Sequence, residues 1–392
     1  MMTIGIDKIG FATSQYVLNL EELAQARGQK IEKYTTGLML DALSITPITE
    51  DIVTMAASAA QEILTDDDRA SIDMVIIATE SGIDQSKAAS VYVHHLLDIQ
   101  PFARSIEMKE ACYAGTAGLN YAKLHVEKNP ESKVLVIASD IAKYGIESAG
   151  ESTQGAGAVA MLVTSNPRIA TFLDDNVAQT RDIYDFWRPN YSTTPFVDGI
   201  YSTKQYLDSL KTTWAEYQKR HEAELSNFAA FCFHLPYPKL ALKGLNKIMP
   251  KDMDNQVKNQ LTDNFDLSIQ YSRQVGNIYT GSLYLGLLSL LENSQTLKAG
   301  DQIGLFSYGS GAVSEIFSLQ LVDGFKGMLR SDRMADLEKR RALSIGDYEK
   351  LFYEEADLTE DGSASFDTYA TGDYALKSIQ NHQRIYVRNE HD

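Results

Sequence analysis

The chain has 392 residues, 44% hydrophobic and 23% charged, with a formal net charge of -17. That length supports a large core, as two domains or one double-sized unit, and the composition is ordinary for a soluble globular protein. So acidic a balance argues against general nucleic-acid binding and admits an anionic substrate only where cations cluster locally. No apolar run reaches transmembrane length, so no membrane span is expected. The opening "MMTIGIDKIGFAT" lacks a basic stretch leading into a long apolar one, so a secretory signal is not expected either. Two cysteines, Cys112 and Cys232, are too few for a disulfide framework and fit a reducing cytoplasm.

In chain order, "EDIVTMAASAAQEIL" predicts a helix with Ile52, Ala56, Ala59 and Ile63 on one face. "DMVIIAT" (73–79), "KVLVIAS" (133–139), "GAVAMLV" (157–163), "FAAFCFH" (228–234) and "DQIGLFS" (301–307) predict buried strands. "GSLYLGLLSLLE" (281–292) is apolar nearly all round, which predicts a buried helix. The alternation is that of an α/β protein. Breaks are expected at "TSNPR" (164–168) and along "RPNYSTTPFVDGIYST" (188–203), and a peripheral acidic appendage after about 330. "GAGAVAMLV" (155–163) and "GSGAVSEIF" (309–317) share a frame, and "CYAGTAGL" and "NIYTGSLYL" each introduce a small-residue helix. Two echoes in the same order point to a duplicated unit.

The residues that can carry chemistry stand at element boundaries. If "FARSIEM" is a strand and "YAGTAGLNYAKLHV" a helix, Cys112 sits at a helix N-terminus, where the dipole favours a thiolate and free N–H groups can hold an oxyanion. A buried structural cysteine is the competing reading. Cys232, inside a strand, is expected in the core. His234 ends an apolar strand, where α/β sites gather polar groups, or it is a satisfied boundary histidine. Glu80 follows "DMVIIAT"; partial desolvation there would raise its pKa towards general-base range, and a helix cap is the plainer alternative. Asn277 and the "YGSG" turn (308–311) could hold a carbonyl or an oxyanion, or serve only as turn and cap residues. Lys239 and Lys243, four apart, make a small cationic patch suited to phosphate. No His/Cys/carboxylate cluster has metal-ligand spacing.

Taken together, "IIATESGIDQSKA", "EMKEACYAGTAGL", "DIAKYG", "TQGAGAVAML", "DIYDFWRP", "FHLPYPKLALK", "VGNIYTGSLYLGL" and "GLFSYGSGAV" resemble hydroxymethylglutaryl-CoA synthases of the bacterial type, in the thiolase-like superfamily. The resemblance implies a thiolase-like αβαβα layered sandwich of two pseudo-duplicated halves, 1–167 and 168–392, and a homodimer. It implies an acyltransferase of the mevalonate route to isoprenoids that needs no cofactor or metal, its partners being acetyl-CoA and acetoacetyl-CoA. Cys112 would become acetylated, Glu80 would take a proton from the acetyl methyl, and His234 with Asn277 would hold the ketone of acetoacetyl-CoA. The N–H groups of Cys112, Gly309 and Ser310 would hold the thioester oxygen. Lys239 and Lys243 match positions near the CoA phosphates. Tyr144, Thr153 and Ser202 match residues of the substrate channel, and Gly155 and Asp185 lie in motifs of the substrate-binding set.

One departure stands out: where the family often has Gly-x-Gly-Gln, this chain reads "TTGLMLDAL" (35–43), with Met39 and Leu40 in place of the second Gly and the Gln. A ketoacyl synthase, a cysteine hydrolase and an inactive CoA-binding scaffold are the alternatives. Glu80 argues against the first, which carries a second His or Asn there.

Overall fold

The computed structural model describes residues 2–389, and among these ten strands form one sheet. The first half supplies β1 (Ile4–Ala12), β2 (Ile72–Ala78), β3 (Arg104–Met108), β4 (Lys133–Ala142) and β5 (Gly155–Ser165). The second supplies β6 (Ala170–Phe172), β7 (Val177–Thr180), β8 (Ala230–Phe233), β9 (Gln302–Gly309) and β10 (Val313–Leu321). Across the sheet the order is β3-β2-β4-β5-β1-β6-β10-β9-β8, with β7 also on β10.

The pairing repeats. β2 lies parallel to β4, β4 antiparallel to β5, and β5 antiparallel to β1. Likewise β8 lies parallel to β9, β9 antiparallel to β10, and β10 antiparallel to β6. The two runs meet where Gly5 and Ile6 of β1 pair with Thr171 and Ala170 of β6. "GAGAVAMLV" forms most of β5 and "GSGAVSEIF" leads into β10, so the sequence echo falls on equivalent strands.

The main helices are α1 (Ile52–Gln61), α2 (Ala89–Leu96), α3 (Ala114–Lys128), α4 (Gly199–His221), α5 (Pro238–Ile248), α6 (Asn255–Ser268) and α7 (Ser282–Asn293). Strand residues alternate between faces, so one strand feeds two cores. Ile76 joins a central core with Leu119 and Val126 of α3 and Leu285 and Leu288 of α7, while Val75 and Ile77 face α1 and α2. In the second half Cys232 faces the central core, and Phe231 and Phe233 face Tyr206 of α4, Leu240 of α5 and Phe265 of α6. The layers are thus αβαβα, with α3 and α7 innermost. Burial on both faces explains why these strands read as unbroken apolar runs.

The strands without such runs carry charge. In β1, Asp7 pairs with Arg168 at 2.6 Å and Lys8 with Asp68, so charges that break the sequence pattern are neutralised inside the fold. Glu315 breaks the run of β10 and is held by hydrogen bonds from Tyr113, Asn120 and Asn176. The stretch 188–203 is also not one irregular break, because Asp198 caps α4 through the N–H groups of Ile200 and Tyr201.

The segment beyond 330 is an integral part of the fold. Arg341 and Ala342 pair with Tyr16 and Val17. Arg333 is buried between Glu62 and Glu292, and Tyr348 and Tyr374 are buried in cores of the first half.

Candidate active site

β2 and β3 are parallel neighbours, so their C-terminal ends open at the same edge. Glu80 lies two residues past β2, and Cys112 lies in the turn between β3 and α3, after Ala111 with its positive φ of 42°. There the Cys112 thiol donates to Glu80 Oε1 at 3.0 Å. Burial, reinforced by the nearby Asp140 charge, pushes Glu80 up to about 8. Burial and the Glu80 carboxylate push the Cys112 thiol well above its ordinary value. The helix-dipole expectation of a thiolate is therefore corrected: in the resting site desolvation and a neighbouring acid outweigh the helix end, and the sulfur keeps its proton.

Asp140, on β4 and fully buried, organises this edge. Its carboxylate accepts from the N–H groups of Glu80 (2.9 Å), Ser81 (3.0 Å) and Thr280 (3.1 Å). It thereby ties the Glu80 turn to the entry of α7. The small residues after Cys112 serve the same junction: a Cβ on Gly115 would lie 2.9 Å from the Thr280 carbonyl oxygen and from the Tyr284 ring. That close approach answers why so small-residued a helix follows the cysteine.

The duplication places the second-half residues. His234 follows β8 as Glu80 follows β2, and Asn277 precedes α7 as Cys112 precedes α3. His234 is buried, its N–H donates to the Phe306 carbonyl at 2.8 Å, and burial lowers its imidazole to about 3, so the ring is neutral. Asn277 Oδ1 accepts from the Tyr279 N–H (2.9 Å) and the Ser282 hydroxyl (2.8 Å), which leaves Nδ2 to donate to the Tyr144 hydroxyl at 3.2 Å. Tyr144 also packs edge-on against Phe186 and Tyr279. Gly155 lies beneath Asn277; a Cβ there would come within 2.5 Å of the Asn277 carbonyl, so it acts through packing. Asp185, fully buried, accepts from the Tyr308 hydroxyl (2.6 Å) and the Gly311 N–H (2.9 Å), which fixes the Gly309–Ser310 turn. A Cβ on Gly309 would lie 2.7 Å from the Tyr113 nitrogen, so this turn abuts the cysteine loop.

A cavity of about 880 Å³ opens here, lined by Glu80, Arg188, Tyr279 and Ser310 among others. Lys239, Lys243, Thr153 and Ser202 do not line it. Lys239 and Lys243 lie on α5 just beyond His234, and the Lys239 N–H donates to the Leu38 carbonyl at 3.1 Å. Thr153 donates its hydroxyl to Gly150, and Ser202 sits in the first turn of α4. Met39 has a φ of 62°, the left-handed region where the glycine it replaces would be unstrained.

A family model described as hydroxymethylglutaryl-coenzyme A synthase N terminal matches residues 2–168, and one described as the C terminal of the same enzyme matches 174–268 and 251–389. The chain belongs to the hydroxymethylglutaryl-CoA synthase family. It is 50% identical over 386 residues to a hydroxymethylglutaryl-CoA synthase of Enterococcus faecalis, across 98% of this chain and 100% of that one. A polyketide-biosynthesis 3-hydroxy-3-methylglutaryl-ACP synthase of Bacillus subtilis is 31% identical over 90% of this chain and 88% of its own. The fold superposes with a TM-score of 0.98 on a crystal structure of an HMG-CoA synthase complexed with CoA, 66% identical and covering 99% and 100% of the two chains.

Sequence reasoning missed several residues of this synthase site. Asp140 had a legible signal, an acid inside the apolar run "KVLVIASDIA". Arg188, which donates to the Glu80 carbonyl at 2.7 Å, and Tyr279, which packs edge-on against Tyr144, had none, because each depends on a loop returning from far along the chain.

Proposed function

We propose that the protein condenses acetyl-CoA with acetoacetyl-CoA to give 3-hydroxy-3-methylglutaryl-CoA and CoA, in the mevalonate route to isoprenoids. The observation that carries this reading is the thiol of Cys112 held at 3.0 Å from the raised carboxyl of Glu80, in a chain of this family. Cys112 sulfur attacks the acetyl carbonyl, the bond to the CoA sulfur breaks, and CoA leaves as the thiol with the proton Cys112 gives up. Glu80 then removes a proton from the methyl of the acetyl thioester. The resulting carbanion forms a bond to the ketone carbon of acetoacetyl-CoA, and the ketone oxygen becomes the tertiary alcohol by taking up a proton equivalent to the one Glu80 removed, which returns Glu80 to its ionised form. Water cleaves the thioester, leaving a carboxylate on the product and a free thiol on Cys112.

Three features support the roles. A carboxyl near 8 is a strong enough base at neutral to alkaline pH, yet it remains able to return its proton. A neutral His234 imidazole can donate a hydrogen bond to the ketone together with Asn277. The N–H groups of Cys112, Gly309 and Ser310 are assigned to the thioester oxygen, since the turn abuts the cysteine loop. Lys239 and Lys243 are assigned to the CoA phosphates, and Thr153 and Ser202 to the channel, on the family resemblance. No cofactor or metal enters this scheme.

A homodimer fits the sheet: β3 is its terminal strand, and Phe102 just before it is 91% exposed. Two free cysteines suit a cytoplasmic setting. The test is product identification from isotopically labelled acetyl-CoA, with acetoacetyl-CoA or an acetoacetyl carrier protein offered as acceptor. Labelled 3-hydroxy-3-methylglutaryl-CoA from the CoA acceptor supports the assignment. Turnover with the carrier-protein acceptor alone overturns it.

A further inference from the structure

The segment beyond 330 is joined to the active-site region through three relays, which end at Tyr144, Lys143 and Gln274. Gln154 is buried, and its Oε1 accepts from the Tyr144 N–H at 2.9 Å while its Nε2 donates to the Tyr348 hydroxyl at 2.9 Å. A backbone N–H can only donate, so the amide of Gln154 has one orientation that satisfies both partners. The Tyr348 hydroxyl donates a hydrogen bond to Glu151 Oε1 at 3.2 Å, and Glu151 is held by Arg27 at 2.9 Å. One residue before Tyr144, the Lys143 ammonium bonds the Phe352 carbonyl and lies 4.2 Å from the centre of the Phe352 ring. Arg340 donates to the Gln274 carbonyl at 2.8 Å, three residues before Asn277.

We propose that the C-terminal segment positions the Tyr144–Asn277 pair for the second substrate, with Gln154 as the positioning residue that transmits Tyr348 to Tyr144. Gln154 and Tyr348 reach the site through hydrogen bonds that end on Tyr144, so both act through another residue. Asn277 Nδ2 reaches the Tyr144 hydroxyl at 3.2 Å, a long bond whose geometry depends on where the Tyr144 backbone is pinned. The Glu80–Cys112 side of the site receives none of these three relays. Loss of the relay therefore weakens capture of acetoacetyl-CoA while leaving acetylation of Cys112 alone. This inference rests on the proposed assignment of Asn277, the partner of Tyr144, to the ketone of acetoacetyl-CoA.

The experiment compares Gln154→Leu and Tyr348→Phe with the parent enzyme, scoring KM for acetoacetyl-CoA, kcat, and the amount of acetyl-Cys112 formed from acetyl-CoA alone. Each variant breaks two of the relay's hydrogen bonds but reaches the substrate only through the displaced Tyr144–Asn277 bond, so KM for acetoacetyl-CoA is expected to rise about three- to tenfold with acetylation unchanged. In a Tyr144→Phe background, which lacks the hydroxyl that Asn277 reaches, the Gln154→Leu effect on KM should shrink towards nothing. The same is expected in an Asn277→Ala background. A fall in melting temperature with KM unchanged overturns the proposal, as does equal loss of acetylation and condensation. Gln154→Glu, which keeps the acceptor, should restore part of the KM that Gln154→Leu loses. If the parent enzyme itself forms no acetyl-Cys112, the functional assignment fails, which is distinguishable from failure of the relay.

Discussion

The Cys112 thiol donates a hydrogen bond to Glu80 Oε1 at 3.0 Å, so the nucleophile and the proposed base are in direct contact in the resting site. The Glu80 charge raises the thiol pKa; removing it lowers that pKa. Glu80→Ala should therefore leave acetylation of Cys112 largely intact. It should cut condensation by about 100- to 10,000-fold, the range for a lost general base. Single-turnover assays of acetylation and of product release separate the two steps. Loss of both together would assign Glu80 to structure rather than to the methyl proton.

The second expectation concerns pH. A base must be ionised to act, so the rate of condensation should rise with pH and level off above about 8. Asp140 is one cause of that high value, and Asp140→Asn should shift the midpoint downwards. A pH profile of both proteins under saturating substrates checks it; an unmoved midpoint would remove Asp140 from this role.

The same burial costs stability. The folded-state pKa of Glu80 is raised from 4.5 to about 8, so the folded protein binds more protons than the unfolded chain between those values. Its contribution is complete below 4.5 and is lost as pH rises through about 8. Glu80→Gln, which never ionises, should melt at a higher temperature than the parent above pH 8, with the gap closing as pH falls. Calorimetry across that window reads the difference directly.

At the crossing of α3 and α7, Gly115→Ala should destabilise the fold by about 1–3 kcal/mol, because its Cβ meets the Thr280 carbonyl at 2.9 Å. Gly199→Ala, with nothing within 4 Å, serves as the control and should be neutral or slightly stabilising. Denaturant midpoints for the two variants test the contact.

Much of this was legible in the sequence, for a physical reason. Strands buried on both faces, such as Ile72–Ala78 and Lys133–Ala142, write themselves as apolar runs, and Glu80 and His234 stand where such runs end, whereas Cys112 follows the half-buried strand Arg104–Met108. The strand Ile4–Ala12 did not, because Asp7 and Lys8 are neutralised by partners at 168 and 68 that no local window contains. For the same reason the polar, acidic stretch after 330 reads as an appendage. Its burial depends on Tyr348 and Tyr374 packing against the first half of the chain. The helix-end argument for Cys112 erred because it weighed the dipole without the buried acid beside it.

The central claim is that Cys112 carries the acetyl group. Incubation with acetyl-CoA alone, rapid quenching and mass spectrometry of the Cys112 peptide test it most directly. An acetyl adduct on Cys112 that acetoacetyl-CoA discharges into product is the result expected. A peptide that stays unmodified while condensation proceeds would contradict it.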